Sequence, residues 1–354
     1  MKRTRANKML IYIFLPLILF PAVFIKNKNL SCLWCGVLLF LVSSLSYNPE
    51  INEAFSLVST MPFYSLNSLE YPSGFTYFTK FFSMFISDFR LFYILLCGIN
   101  TFGTMLYIKK YCYYPAPSSI VLILTGYWFV AISDPVLYMG IMFGLFAFRY
   151  ASEKRFVRFA VLILLGTCFM PYLILIVPFY LILMTKTRII HIILAAALCV
   201  LLIYTDVTAL FGFIGINDVS GLPYYEYLPW LSLSVCILSL ITKKIISRRG
   251  LYNETMITAA LLSAVLSAGI FTDKRFFIFG FICFFPAGLT LIPEIISVVK
   301  AVISLTFKDK KRPFLIVSGV ILAALAVLLY GNILLTNPYG GIPFETWVGM
   351  EAIQ

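Results

Sequence analysis

Apolar runs of roughly 17–20 residues recur along the chain from one end to the other. Each is long enough to cross about 30 Å of hydrocarbon at ~1.5 Å of helix rise per residue. The period-two alternation of a membrane barrel is absent, so the runs read as helices, whose backbone groups are satisfied within each segment. The pattern predicts helices over 9–25, 30–46, 88–108, 116–132, 135–151, 157–170, 171–184, 189–206, 228–242, 254–271, 276–293 and 314–335. The expected fold is an all-α polytopic integral membrane protein of about twelve spans, with a GT-C-like helical bundle among its possible arrangements. A single membrane domain should cover residues 1–354. Residues 74–86 are apolar but too short to span comfortably, and read as a re-entrant or interfacial helix.

Composition agrees: 61% of residues are hydrophobic, 12% are charged and the mean hydropathy is +0.97. A soluble domain carries about twice that share of charge. The net charge of +12 is explained by lysine and arginine in cytoplasmic loops and does not call for nucleic acid. Lys26/Lys28, Lys109/Lys110, Lys154/Arg155/Arg158, Lys186/Arg188, Lys243/Lys244/Arg248/Arg249 and Lys308/Lys310/Lys311/Arg312 all sort to one side. Glu50, Glu53, Glu70, Asp134, Asp206, Asp218, Glu226, Asp273, Glu345 and Glu351 sort to the other. The outer segments are then 47–73, 207–227 and 336–354, rich in Tyr, Pro, Asn and Gly. The tail Lys2, Arg3, Arg5, Lys8 breaks the rule in this arrangement. No small-residue cleavage site follows the first run, so a cleaved signal peptide is not expected.

The eight cysteines are scattered, mostly within apolar runs, and read as small buried hydrophobes. Cys32 and Cys35 have redox-motif spacing, but no βαβ pattern surrounds them. The single histidine, His191, has no second histidine with which to share a metal. Phosphate-binding glycine loops, HExxH and GxSxG are absent, so neither a cofactor nor ATP-driven chemistry is expected.

The informative charges lie at the outer ends of helices. Lys274 and Arg275 are retained where positive charge is otherwise scarce, beside Asp273. A guanidinium offers a donor fork suited to phosphate or pyrophosphate, although Asp273 could simply neutralise its neighbours. Arg90, after Asp88, opens another helix on that side, as a ligand for anions or as an interfacial anchor. Lys80 lies inside the short segment 74–86 and either snorkels or faces an aqueous cavity. Asp134 precedes Pro135, as a helix cap or a site residue. Glu70 precedes Tyr71-Pro72-Ser73-Gly74-Phe75, where a turn can aim a carboxylate as a general base. Pro171 interrupts the apolar stretch around Phe169-Met170. Either two short helices meet outside, or a broken helix lines a cavity within the membrane.

This pattern resembles the bacterial polysaccharide repeat-unit polymerases of the O-antigen (Wzy-type) and EpsG-like group. The run Glu70 to Phe75 is similar to the glutamate–proline–glycine–phenylalanine entry to that family's third helix. Asp134 to Tyr150, followed by Ala151 to Phe159, resembles its central helix pair joined by a basic turn. Arg275-Phe276-Phe277 resembles its late arginine with aromatics. The resemblance spans roughly residues 30–295, and only Glu70 and Arg275 carry over by residue type. It implies a metal-free inner-membrane glycosyltransferase that polymerises undecaprenyl-pyrophosphate-linked oligosaccharides at the outer face, with a chain-length regulator and a flippase as partners. Arg275, Lys274 and Arg90 would hold the pyrophosphate, and Glu70 or Asp273 would act on the acceptor. A transferase using a polyprenyl-phosphate sugar, with Glu50 or Glu53 in its first outer loop, is a related expectation. A flippase or transporter for the same lipid-linked sugar is the alternative from another class.

Overall fold

The structure, a computed structural model, describes residues 18–25, 27–69, 71–124, 130–132, 134–178, 228–243, 251–268, 277–306 and 345–346, with a few isolated positions between 182 and 197. The helices are α1 (Lys28–Ser44), α2 (Pro49–Thr60), α3 (Ser73–Ser83), α4 (Phe89–Tyr111), α5 (Pro115–Leu124), α6 (Pro135–Ser152), α7 (Phe156–Thr167), α8 (Leu228–Lys243), α9 (Leu251–Ser267) and α10 (Phe277–Thr306). Short 3-10 segments occupy Phe20–Phe24, Phe63–Ser68 and Pro171–Ile176. Among the described residues, α4, α6 and the stretch Gly280–Val298 of α10 are long and apolar enough to cross a membrane. The expected helices near 189–206 and 314–335, and the loop 207–227, fall outside the described residues or on isolated positions only.

Side-chain caps set the starts of four helices. Asn27 accepts from the Asn29 and Leu30 amides at 2.9 and 3.4 Å, and Asn48 from Ile51 at 3.1 Å. Asp88 accepts from Arg90 and Asp134 from Leu137, both at 2.8 Å. Each satisfies an amide that the first helical turn leaves free. The Asn48 cap corrects the reading of 47–73 as a loop. Pro49 follows it at the first helical position, and Ile51, Ala54, Phe55 and Val58 bury one face of α2.

Helices α4 and α6 run side by side in the same direction. Leu96 packs with Met139 and Met142, Tyr107 meets Phe146 edge-on at 5.5 Å, and the Arg149 guanidinium lies 4.9 Å from the Tyr111 ring centre. Helix α1 runs the opposite way: Cys97 Sγ donates to Ser43 O at 3.5 Å, and Lys28 Nζ to Cys112 O at 2.9 Å. The bundle thus has a basic end, with Lys28, Lys109, Lys110 and Arg149, and an opposite end carrying Asp88 and Asp134. At that second end β1 (Ser46–Tyr47) pairs antiparallel with β2 (Glu345–Thr346), Ser46 opposite Thr346.

Helix α10 continues well past its expected stop near 293. Pro293 removes one donor, which would orphan the carbonyl of Leu289 four residues back. Ser118 Oγ of α5 donates to that carbonyl at 2.9 Å, and the helix carries on to Thr306. Its 30 residues make a rod of about 45 Å, half as long again as a bilayer core. Glu294 lies inside its apolar stretch, an acid passed over when the charges were sorted by side.

Helices α8, α9 and α10 form a sector packed through small residues. Ser232 and Ser263 share a hydrogen bond of 2.8 Å, and Ser263 Oγ approaches Gly280 O at 2.7 Å. A Cβ built on Gly280 would lie 2.5 Å from Ser267 Cβ, so the α9–α10 approach requires glycine there. Small residues and buried hydroxyls are how helices adhere where lipid removes the hydrophobic drive.

Candidate functional site at the meeting of two half-spans

The interruption expected at Pro171 is present. Helix α7 ends at Thr167, the amides of Phe169 and Met170 both turn back to Gly166 O at 3.0 and 2.8 Å, and a 3-10 segment begins at Pro171. With 12 residues, α7 is about 18 Å long, too short to span where a span was expected at 157–170, and the span expected at 171–184 lies partly outside the described residues.

The depth of this break follows from its contacts. Phe169 stacks on Phe143 at 6.0 Å, and Phe143 is at the middle of α6. Met170 presses on Gly140, and Leu173, beyond the proline, reaches Gly144, nearer the basic end. The chain therefore climbs from the basic end, turns at the mid-depth of α6 and starts back. Cys168 and Pro171 are exposed at the turn, while Met170 and Leu173 are buried against α6.

Helix α3 approaches the same point from the other end. Its 11 residues make about 16 Å, also too short to span, as expected for a re-entrant or interfacial segment. The Gly74 amide donates to Cys168 O at 2.8 Å. A Cβ on Gly74 would lie 2.7 Å from Cys168 Cβ and 2.8 Å from its carbonyl carbon, so only glycine allows this contact. Phe78 of α3 completes the junction edge-on to Phe169 at 6.2 Å. An aromatic cluster roofs it. Phe55 of α2 packs on Phe89 and Phe92 of α4 at 5.7 and 4.9 Å, and Phe75 and Val136 share that core.

Polar groups line the neighbouring seam between α4 and α6. Tyr93 OH pairs with Ser46 Oγ at 2.9 Å and donates to Ile132 O at 3.5 Å. Asn100 Nδ2 donates to Pro135 O at 2.8 Å, and Thr104 Oγ1 pairs with Tyr138 OH at 2.9 Å. Asn100 Oδ1, Thr101 Oγ1 and Thr79 Oγ1 are enclosed without a hydrogen-bond partner among the described residues. Each such group costs about 1–3 kcal/mol. Sequence reasoning missed Asn100; an amide in the centre of an apolar run was the signal for it.

The structure describes three of the seven expected site residues. Asp134 caps α6 beside Asn100's contact and keeps an exposed edge. Desolvation by surrounding atoms pushes its carboxyl above the usual carboxylate range. The Glu50 charge adds a smaller push, against the downward pull of the Leu137 and Val136 amides. Glu50, at the start of α2, and Asp134 therefore sense one another. Lys80 is held within the protein: Nζ donates to Ser59 O at 2.9 Å, near the carbonyl end of α2, and lies 5.7 Å from the Phe63 ring centre. Arg90 is exposed in the first turn of α4. Glu70, Asp273, Lys274 and Arg275 lie outside the described residues.

The junction brings together the Tyr71–Gly74 turn, the α7 break and an aromatic cluster, with the Asp134 carboxylate at the start of neighbouring α6. Among the described residues no group of His, Cys, Asp and Glu could hold a metal ion. No protein-family model, curated protein or solved structure matches the chain.

Proposed function

We propose that the chain is a membrane glycosyltransferase of the repeat-unit polymerase kind, a polytopic helical bundle in the bacterial inner membrane. It joins undecaprenyl-pyrophosphate-linked oligosaccharides at the outer face. The growing glycan leaves its pyrophosphate carrier and passes to a hydroxyl of the incoming repeat unit. Arg275, Lys274 and Arg90 neutralise the departing pyrophosphate, and Glu70 or Asp273 takes the proton of the acceptor.

One observation carries the reading. The segment that follows Glu70, Tyr71 to Gly74, runs to mid-depth and is tied there to the broken helix at Cys168. Two features marked separately in the sequence, the turn at Tyr71 to Gly74 and a proline break, meet there, which supports a shared site. A polyprenyl carrier needs such a place, open to lipid and reached from a single face. Meeting half-spans also suit a carrier that moves the lipid-linked sugar across the membrane, and this is the second reading.

Glycan length separates the two. With Glu70→Gln, the polymerase reading expects normal protein abundance and single, uncoupled repeat units at the surface, a rate loss of about two to three orders of magnitude. Loss of all surface glycan, with lipid-linked repeats trapped inside, supports the carrier. Wild-type chain lengths from both Glu70→Gln and Arg275→Ala overturn the polymerase assignment.

A further inference from the structure

The basic end carries a second constellation, distinct from the half-span junction. Lys110 Nζ and the Arg149 guanidinium both sit against the Tyr111 ring, at 5.3 and 4.9 Å from its centre. Arg149 pairs with Glu153 at 2.8 Å, Glu153 pairs with Arg155 at 3.3 Å, and Arg158 lies 5.6 Å from the Tyr150 ring centre. Lys154, at the tip of the turn between α6 and α7, has φ 56°. Lys109, Lys110, Arg149, Lys154, Arg155 and Arg158 thus share this corner, with Glu153 paired to Arg149 and Arg155.

Two features go beyond the usual excess of positive charge at cytoplasmic turns. Lys110, Arg149 and Arg158 are held against rings and Arg149 and Arg155 by one shared carboxylate, so the positions of these four are set in advance. The residues between them are apolar and exposed: Phe156 is 56% and Val157 73% accessible, directly flanked by Arg155 and Arg158. Water would not favour that pair on a surface, whereas the boundary between headgroups and acyl chains would.

We propose that the α6–α7 turn, with the end of α4, binds an anionic phospholipid of the adjoining leaflet. The phosphate lies among Lys154, Arg155 and Arg158, and the acyl chains lie against Phe156 and Val157. Charge complementarity selects the headgroup, and the apolar pair selects a lipid over a soluble anion. The proposal is independent of the activity at the other end.

Native mass spectrometry of the purified full chain tests it, with phosphatidylglycerol and phosphatidylcholine of identical acyl chains as probes. The wild type is expected to retain phosphatidylglycerol about fivefold or more over phosphatidylcholine. Lys154→Gln, Arg155→Gln and Arg158→Gln together should bring that ratio near one while phosphatidylcholine adducts persist. Removing three charges elsewhere, with Lys2→Gln, Arg3→Gln and Arg5→Gln, should leave it unchanged. Should the triple turn variant fail to fold, Arg158→Gln alone decides, with an expected drop of about threefold. Equal retention of both lipids by the wild type overturns the site. So does a preference that survives the turn substitutions, or one lost equally in the N-terminal control.

Discussion

The α8–α9–α10 sector and the half-span junction solve the same problem in opposite ways. In the sector, backbones approach closely through glycine and serine, and hydroxyls bind helix to helix. Even the break that Pro293 would cause is repaired, by Ser118. At the junction the breaks remain. Two helices stop halfway, joined by one backbone hydrogen bond and a set of phenylalanines. Helical continuity is maintained in the sector and given up where α3 and α7 meet. A frame and a working site should respond differently to the same kind of substitution.

The largest effect is expected in the frame. Gly280→Leu drives a side chain into the backbone of α9 and should cost about 3 kcal/mol, read as lost accumulation and a lower melting temperature in detergent. A variant that melts like the wild type would remove the close-packed sector from the comparison. At the junction, Gly74→Val should cost less, about 1–2 kcal/mol, because α3 can withdraw from Cys168. Its glycan polymer should fall far more than its abundance does. If both fall together, the junction is frame as well and the contrast fails. Ser118→Ala is the mildest, at about 1 kcal/mol for the lost hydrogen bond to Leu289 O. A larger loss would mean that the whole rod beyond Pro293 depends on one hydroxyl.

The sequence exposed the long elements because their signal is local. The runs of α4 and α6 are long and apolar enough to cross a bilayer, and Asp134-Pro135 announces a cap. It hid α2, whose Glu50, Asn52, Glu53, Ser56 and Ser59 lower the hydropathy while the buried face keeps helical spacing. It stopped α10 too early because the repair of Pro293 comes from Ser118, some 170 residues away. Half of the candidate site was legible: the turn after Glu70 and the break at Pro171 each carry a proline or glycine signal. Their meeting was not, since depth depends on which residues of α6 the short segments touch. Gly140, Phe143 and Gly144 have no pattern that says so.

The small strand pair at the acidic end has a consequence for how the molecule is made. Ser46 and Thr346 are about 300 residues apart, yet they lie side by side. Two points on one chain can share a side of a membrane only if the chain crosses it an even number of times between them. Ten crossings meet that condition and eleven do not, while excursions that enter and return on one side leave the parity untouched. The pair can close only after everything between its strands has been threaded.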